Sequence, residues 1–232
     1  MWVGEDSPPP LDADTVLEVP PGTSGLRLAA ARNVGGDWAV QSGAGLIIFL
    51  DADCVPGPGL VDRYALAAAE RPDAVLCGPV TYLQPGATVG DPDALLAVTK
   101  PHPGRPSPPS GKIQLATDDE YSLFWSLSFA MTTAAWVASP RFDERYEGYG
   151  GEDTDFAFAL RATHTPMAWV GGAHAYHQYH PTTSPPWEHL DHILRNGKLF
   201  ADRWGVWPMT GWLSAFAEAG AVRWEDANWV RT

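Results

Sequence analysis

The sequence predicts an α/β fold: a single domain on a doubly wound, mostly parallel sheet with helices on both faces. Three observations carry this. Strand-like and helix-like segments follow one another in the order β, β, α, β, α, β up to residue 83, the alternation expected of such a sheet. The run Leu46-Ile47-Ile48-Phe49-Leu50 has no polar alternation, as in a strand covered on both faces. That run delivers Asp51-Ala52-Asp53 to its C-terminal edge, where open α/β sheets bind their ligands.

The elements can be justified in order. Trp2-Val3-Gly4-Glu5-Asp6 reads as the end of a strand, broken by Pro8-Pro9-Pro10. Val16-Leu17-Glu18-Val19 is a short second strand. Residues 25–44 carry Leu28, Ala31, Val34 and Trp38 near helical spacing, with Gly35-Gly36 expected to weaken or bend the helix. Residues 58–71 read as a helix with Pro58 near its start and Pro72 at its exit. Residues 74–83 read as one strand.

From residue 84 to about residue 119 the pattern dissolves. The stretch Pro101-His102-Pro103-Gly104-Arg105-Pro106-Ser107-Pro108-Pro109-Ser110 reads as irregular. A connection of that length in a compact domain is mobile or functional. Beyond it come a buried strand over 124–132, a helix over 154–161, a strand over 167–171, an amphipathic helix over 187–203 and a short helix over 212–219. The expected organisation is a core over 1–182 with a helical extension, 183–232, packed on it.

Composition bounds the function. The chain has 232 residues, 45% of them hydrophobic, enough for a sizeable core. Its formal net charge of −13 argues against non-specific nucleic-acid binding and against docking on anionic lipid through a basic patch. A nucleotide remains compatible, because a metal ion can supply local positive charge. Cys54 and Cys77 form no disulfide framework, which suggests a reducing compartment. No stretch approaches the ~18 apolar residues of a membrane span. The N-terminus shows no signal-peptide core, so a soluble, cytoplasmic protein is expected.

Three constellations carry chemistry. Asp51 and Asp53 can share a hard divalent cation, which in turn favours phosphate oxygens. The plainer alternative is that Asp51 starts and Asp53 caps a turn ahead of Cys54-Val55-Pro56-Gly57-Pro58-Gly59. Next, Gly148-Tyr149-Gly150-Gly151-Glu152-Asp153-Thr154-Asp155 brings acids to a helix start. Capping by Asp153 explains the acids but not Gly150-Gly151, which suggest a close approach to the backbone. Third, His174, His177 and His180 offer imidazoles to a divalent metal without the cysteines of a structural zinc site.

Together these motifs resemble family 2 glycosyltransferases of the GT-A fold. The likeness rests on Ala30-Ala31-Arg32-Asn33-Val34-Gly35, Phe49-Leu50-Asp51-Ala52-Asp53, Phe142-Asp143-Glu144, Gly150-Gly151-Glu152-Asp153-Thr154-Asp155-Phe156 and His177-Gln178-Tyr179-His180. It covers roughly residues 2–182. The tail with Asn196, Arg203-Trp204-Gly205 and Trp207-Pro208 looks like the actinobacterial-type members.

The resemblance implies an inverting transferase using a nucleotide-sugar, UDP-linked, with Mn²⁺ or Mg²⁺. Asp53 would be the direct metal ligand, Asp51 would lie nearer the ribose, and His177 would complete the metal site, with His174 and His180 as rivals. Asp153 would be the general base with Glu152 beside it. Arg32 and Asp6 would contact the nucleotide base. Trp125, Gly150 and Gly151 fall on the acceptor side. The acceptor would be a glycan, a lipid-linked or a small-molecule hydroxyl, and the Trp-rich tail suggests a weak peripheral membrane contact. The family begins with a strand and helix that this chain lacks as written, so a start assigned too late is the expectation, with a degenerate member as the alternative. A metal-dependent phosphatase or nucleotidyltransferase, and a truncated non-catalytic module binding sugar or a partner, stay open as alternatives.

Overall fold

The structure is a computed structural model that describes residues 1–4 and 12–232; Asp6 lies outside the described residues. In chain order the first elements are β1 (Trp2–Val3), β2 (Glu18–Val19), α1 (Leu28–Gln41), β3 (Leu46–Leu50), β4 (Cys54–Pro56), α2 (Leu60–Glu70), β5 (Val75–Cys77) and β6 (Val80–Tyr82). The middle holds α3 (Pro92–Ala97), β7 (Ile113–Leu115), β8 (Ser128–Thr132) and α4 (Thr133–Ala138). Then come α5 (Glu152–Ala162), β9 (Met167–Val170), β10 (Ala175–His177), α6 (Leu190–Trp204), α7 (Thr210–Glu218), β11 (Val222–Glu225) and β12 (Asn228–Arg231). Contacts group the chain into two compact units, one of residues 36–141 and 156–180, the other of 1–35, 142–155 and 181–232.

The first unit is built on a five-stranded sheet of order β3-β8-β5-β9-β7. It is mixed. β5 and β9 run parallel, and the other neighbouring pairs run antiparallel. β3, expected as a parallel strand, is an antiparallel edge strand paired with β8. Its unbroken apolarity has a clear cause. Leu46, Ile48 and Leu50 pack on the cluster formed with Leu60, Tyr64 and Ala67 of α2, while on the other face Ile47 is buried and Phe49 lies against the Trp136 ring of α4 at 5.1 Å between ring centres. A strand covered on both faces is apolar throughout whichever way its neighbour runs.

The expected single strand over 74–83 is two strands in two sheets. Between β5 and β6 lies Gly78-Pro79, and a Cβ at Gly78 would sit 1.9 Å from the Ala173 carbonyl oxygen. The Gly78 N–H leaves the ladder and donates to the buried Tyr64 hydroxyl at 2.8 Å. β6 then joins a second sheet of order β4-β10-β6. In it His177 lies opposite Cys54 across an antiparallel pair and opposite Tyr82 across a parallel one. This small sheet positions the histidines described below.

Segment 84–119 is not structureless. Asp91 caps α3 by accepting from the Asp93 N–H, with Pro92 in the first turn. β7 adds antiparallel to β9. Arg105, 6% exposed, packs over the Trp125 ring at 4.9 Å and the Trp169 ring at 5.2 Å, anchoring the proline-rich stretch through cation–π contact. In α1, Gly35-Gly36 does not interrupt the helix. A Cβ at Gly36 would lie 2.3 Å from the Trp136 ring, so that glycine admits a fully buried indole.

In the second unit β1 and β2 form a two-stranded parallel sheet. The amphipathic stripe of α6 supplies Leu190 and Ile193 to a cluster with Leu213 and Phe216 of α7 and Val222 of β11. The hairpin β11–β12 was not anticipated. Its turn residues Asp226 and Ala227 both have positive φ, a geometry normally announced by Asn-Gly or Asp-Gly. No helix among the described residues is long and apolar enough to cross a membrane.

Candidate active site

Two clusters hold the residues singled out by sequence, one in each unit. In the first, β3 is followed by Asp51, whose carbonyl accepts the Cys54 N–H at 2.9 Å, closing the tight turn that presents Asp53. The Asp53 carbonyl accepts the Gln178 N–H at 2.8 Å and so holds the chain just past β10 against that turn. His177 Nε2 lies 3.2 Å and His180 Nε2 3.6 Å from Asp53 Oδ2. Among the described residues these three form a group whose donor atoms all lie within 4.8 Å of one another. Two donors each about 2.1 Å from a common ion stand roughly 3–3.5 Å apart, so the spacing suits a divalent cation.

Asp53 and His177 shift each other in opposite directions. The hydrogen bond from His177, aided by its charge, keeps the Asp53 carboxyl below its ordinary range. The same hydrogen bond raises His177 against the opposing effect of burial. Asp51 lies outside the three-donor group, although its charge also raises His177. Burial first, then the Asp53 and Asp51 carboxylates, push the Cys54 thiol well up, which disfavours its thiolate.

The three histidines divide, His177 and His180 joining Asp53 and His174 standing apart. His174, 9% exposed, turns away from this group and makes a 2.7 Å hydrogen bond between Nε2 and Thr81 Oγ1. Burial lowers its pKa from 6.5 to about 4. Folding thus favours the neutral imidazole. The associated stability is fully present above pH 6.5 and is lost as pH falls toward 4, by up to roughly 3 kcal/mol. The melting temperature of the protein is expected to fall more steeply over that window than that of a His174→Gln variant; parallel slopes would refute the assignment.

Trp125 stands near the three-donor group in the same unit. Its ring meets His102 edge-on at 5.0 Å and Tyr82 at 6.4 Å, and Tyr82 stacks on His177 at 4.5 Å. Sequence reasoning did not single out Tyr82; its only signal was an aromatic residue at the end of a strand.

In the second unit the glycine turn and Asp155 are held from α6, through Asn196, Arg203 and Trp204. Gly148, Gly150 and Gly151 all have positive φ, and a Cβ at Gly151 would lie 2.9 Å from the Tyr146 ring. What approaches this backbone is Asn196, 1% exposed. Its Nδ2 donates to the carbonyls of Glu147, Tyr149 and Gly150 at 3.0, 3.3 and 2.8 Å. An amide has two such hydrogens, so the three carbonyls converge on one side chain.

Asp153, half-buried in the first turn of α5, accepts the Thr154 N–H at 2.7 Å. Glu152, 8% exposed, pairs with Arg32 at 3.4 Å, and the Arg32 guanidinium lies over the Phe142 ring. Asn33 on α1 holds the same segment, donating to the Phe142 carbonyl at 2.9 Å and accepting its N–H at 3.1 Å. Asp155 is fully buried. It accepts from Trp204 Nε1 at 2.7 Å, Arg203 at 2.6 Å and the Tyr146 hydroxyl at 3.2 Å. Burial still pushes its carboxyl up, with Trp204 and Arg203 opposing.

Comparison with known proteins gives the fold. No family model matches the chain. Over 179 residues it is 26% identical to hyaluronan synthase of Pasteurella multocida, a match taking in 68% of this chain and 18% of that protein. The chain therefore spans less than a fifth of that relative's length. The crystal structure of GalNAc-T7 with UDP, GalNAc and Mn²⁺ superposes with a TM-score of 0.52 at 14% identity, covering 90% of this chain and 40% of that one. The chain has a GT-A fold. The expected α/β class holds, with β3 antiparallel where a parallel strand was expected.

Proposed function

We propose that this chain is a metal-dependent glycosyltransferase that moves a sugar from a nucleotide-sugar, UDP-linked, to a hydroxyl acceptor with inversion. The observation that carries the reading is the convergence of Asp53, His177 and His180 at the end of the first long strand of a GT-A sheet. Of the two cations the resemblance implies, Mg²⁺ keeps to oxygen ligands and is a poor match for a set of one carboxylate and two imidazoles, which leaves Mn²⁺ as the better fit of the pair. A cation held there would act as a Lewis acid toward the departing diphosphate.

The chain's own residues would do the rest. Asp51 would orient the ribose side of the nucleotide, and Arg32, fixed by Glu152, would face the base together with Asp6. Asp153 would take the proton of the acceptor hydroxyl as general base, with Trp125, Gly150 and Gly151 shaping the acceptor side. A single base and no protein nucleophile corresponds to one displacement, hence inversion. Two carboxylates flanking the sugar as acid and nucleophile would instead mark a glycosidase. The resemblance to family 2 and the GT-A fold of this chain support the reading, as do the UDP and Mn²⁺ named for the GalNAc-T7 structure.

Calorimetric titration of UDP, with and without Mn²⁺ and with GDP as control, tests it. The expected result is binding of UDP that requires Mn²⁺ and exceeds that of GDP, followed by sugar transfer in a donor screen. Absence of Mn²⁺-dependent binding would overturn the reading, and release of phosphate without sugar transfer would assign a phosphate-ester enzyme.

A further inference from the structure

Tyr82, the last residue of β6, stands outside the core. It is 44% exposed, while Thr81 before it and Leu83 after it are buried, the alternation of an extended chain with one covered face. Register decides what the open face meets. In the sheet β4-β10-β6, His177 lies opposite Tyr82 on one side and opposite Cys54 on the other, so the three side chains share a face. Cys54 has one heavy atom beyond its Cβ and offers no flat surface. Tyr82 offers one: its ring lies 4.5 Å from the His177 ring with 27° between the planes, at the near end of the range for stacked rings. The phenol is backed in turn. The His102 ring meets it edge-on at 5.5 Å and Trp125 at 6.4 Å, and the His102 N–H ties that segment to the Val80 carbonyl at 2.8 Å.

An imidazole that binds a cation needs a fixed plane. The Nε2 lone pair lies in the ring plane, and the outer torsion of histidine is broad and roughly two-fold. A swing of the ring therefore carries the lone pair away from any point it shares with Asp53 and His180. The hydrogen bond between His177 and Asp53, at 3.2 Å, needs the proton that a cation on Nε2 would displace, so it cannot aim the ring once a cation is there. His180, whose ring lies 5.1 Å away and inclined by 48°, belongs to the donor group itself. The face of Tyr82 is present with or without that proton.

We propose that Tyr82 is a positioning residue for the metal centre: its ring face sets the plane of the His177 imidazole and keeps Nε2 directed at the point shared with Asp53 and His180. The role toward a metal rests on the metal reading of those three residues; the setting of the ring plane rests on the stack alone.

The test is titration of the full chain with Mn²⁺ alone, the free ion measured by electron paramagnetic resonance, in the parent and in Tyr82→Phe, Tyr82→Leu and Tyr82→Ala. Tyr82→Phe keeps the flat face and is expected to bind Mn²⁺ as the parent does. Tyr82→Leu, which keeps apolar bulk without the face, and Tyr82→Ala are expected to bind about tenfold more weakly, the low end of what outer-shell partners of metal ligands carry. Circular dichroism is expected to stay that of the parent in all three, since the position is half open to solvent. Carbon-13 relaxation of the His177 ring in the metal-free protein gives a second readout. A rigid imidazole is expected in the parent and Tyr82→Phe, and a mobile one in the other two. Parent-like Mn²⁺ affinity in Tyr82→Ala overturns the proposal. So does rescue by Tyr82→Leu, which would assign the effect to bulk, or a loss in Tyr82→Phe equal to that in Tyr82→Ala, which would assign it to the hydroxyl. No Mn²⁺ binding by the parent removes the metal reading instead. The relaxation data then still decide whether Tyr82 holds the ring, and an imidazole equally mobile in the parent and Tyr82→Ala refutes that.

Discussion

Asp53→Ala is expected to abolish Mn²⁺-dependent UDP binding, with the apparent affinity falling by at least about a hundredfold, since even outer-shell partners of metal ligands carry 10–100-fold effects. Asp53 supplies the sole carboxylate of the donor group. Without it two imidazoles remain, and His177 loses the hydrogen bond that raises its pKa. Asp53→Asn separates charge from shape: it keeps an oxygen near His177 and removes the negative charge. If charge on the metal is what matters, both variants fail in calorimetry while their circular dichroism stays that of the parent. Tight metal-dependent binding in Asp53→Asn would refute a carboxylate ligand, and retention in both would remove the metal site altogether. The fold is not expected to suffer, because the side chain is 43% exposed and the turn is closed by backbone bonds from Cys54 and Gln178.

Asp153→Asn is expected to act on turnover alone. A positioned general base contributes about 10²–10⁴-fold, and the variant should lose that much in kcat while binding UDP and Mn²⁺ as the parent does. Asparagine still offers an oxygen to the Thr154 N–H that Asp153 now accepts, so the first turn of α5 is retained. Initial rates with a saturating donor, beside calorimetry of UDP, separate the two quantities. Wild-type turnover would dismiss Asp153 as the base, and a parallel collapse of UDP binding would recast it as part of the nucleotide site.

How much of this could be read from the chain differs by residue. Asp53 stood out only in company: Asp-x-Asp after an apolar strand has a plain turn reading by itself, and three histidines in a short run together with the acids of 152–155 are what raised the metal reading, with His177 picked by the resemblance. The separate duties of the histidines were not legible. His174 and His180 are alternatives in sequence, and only the strand register of β10 and its following turn sends one to Thr81 and the other to Asp53. The direction of β3 was equally hidden, since cover on both faces produces the same apolar run in either pairing. Short elements such as α3, β7 and β10 carry too few residues for a period to show. The glycines before Glu152 did announce a close approach to the backbone. The partner that approaches, Asn196, lies on α6 with no local pattern to reveal it.

That arrangement changes where the portable part of this molecule ends. A boundary at residue 182, natural when motifs alone are counted, would strip three carbonyls of Asn196 and leave Asp155, fully buried, without Arg203 and Trp204. A fragment cut there would carry the whole acidic signature and lack the groups that give the signature its shape. Grafts, fusions and split versions of this chain should therefore treat residues 142–155 and 190–204 as one inheritable part, exchanged together or not at all.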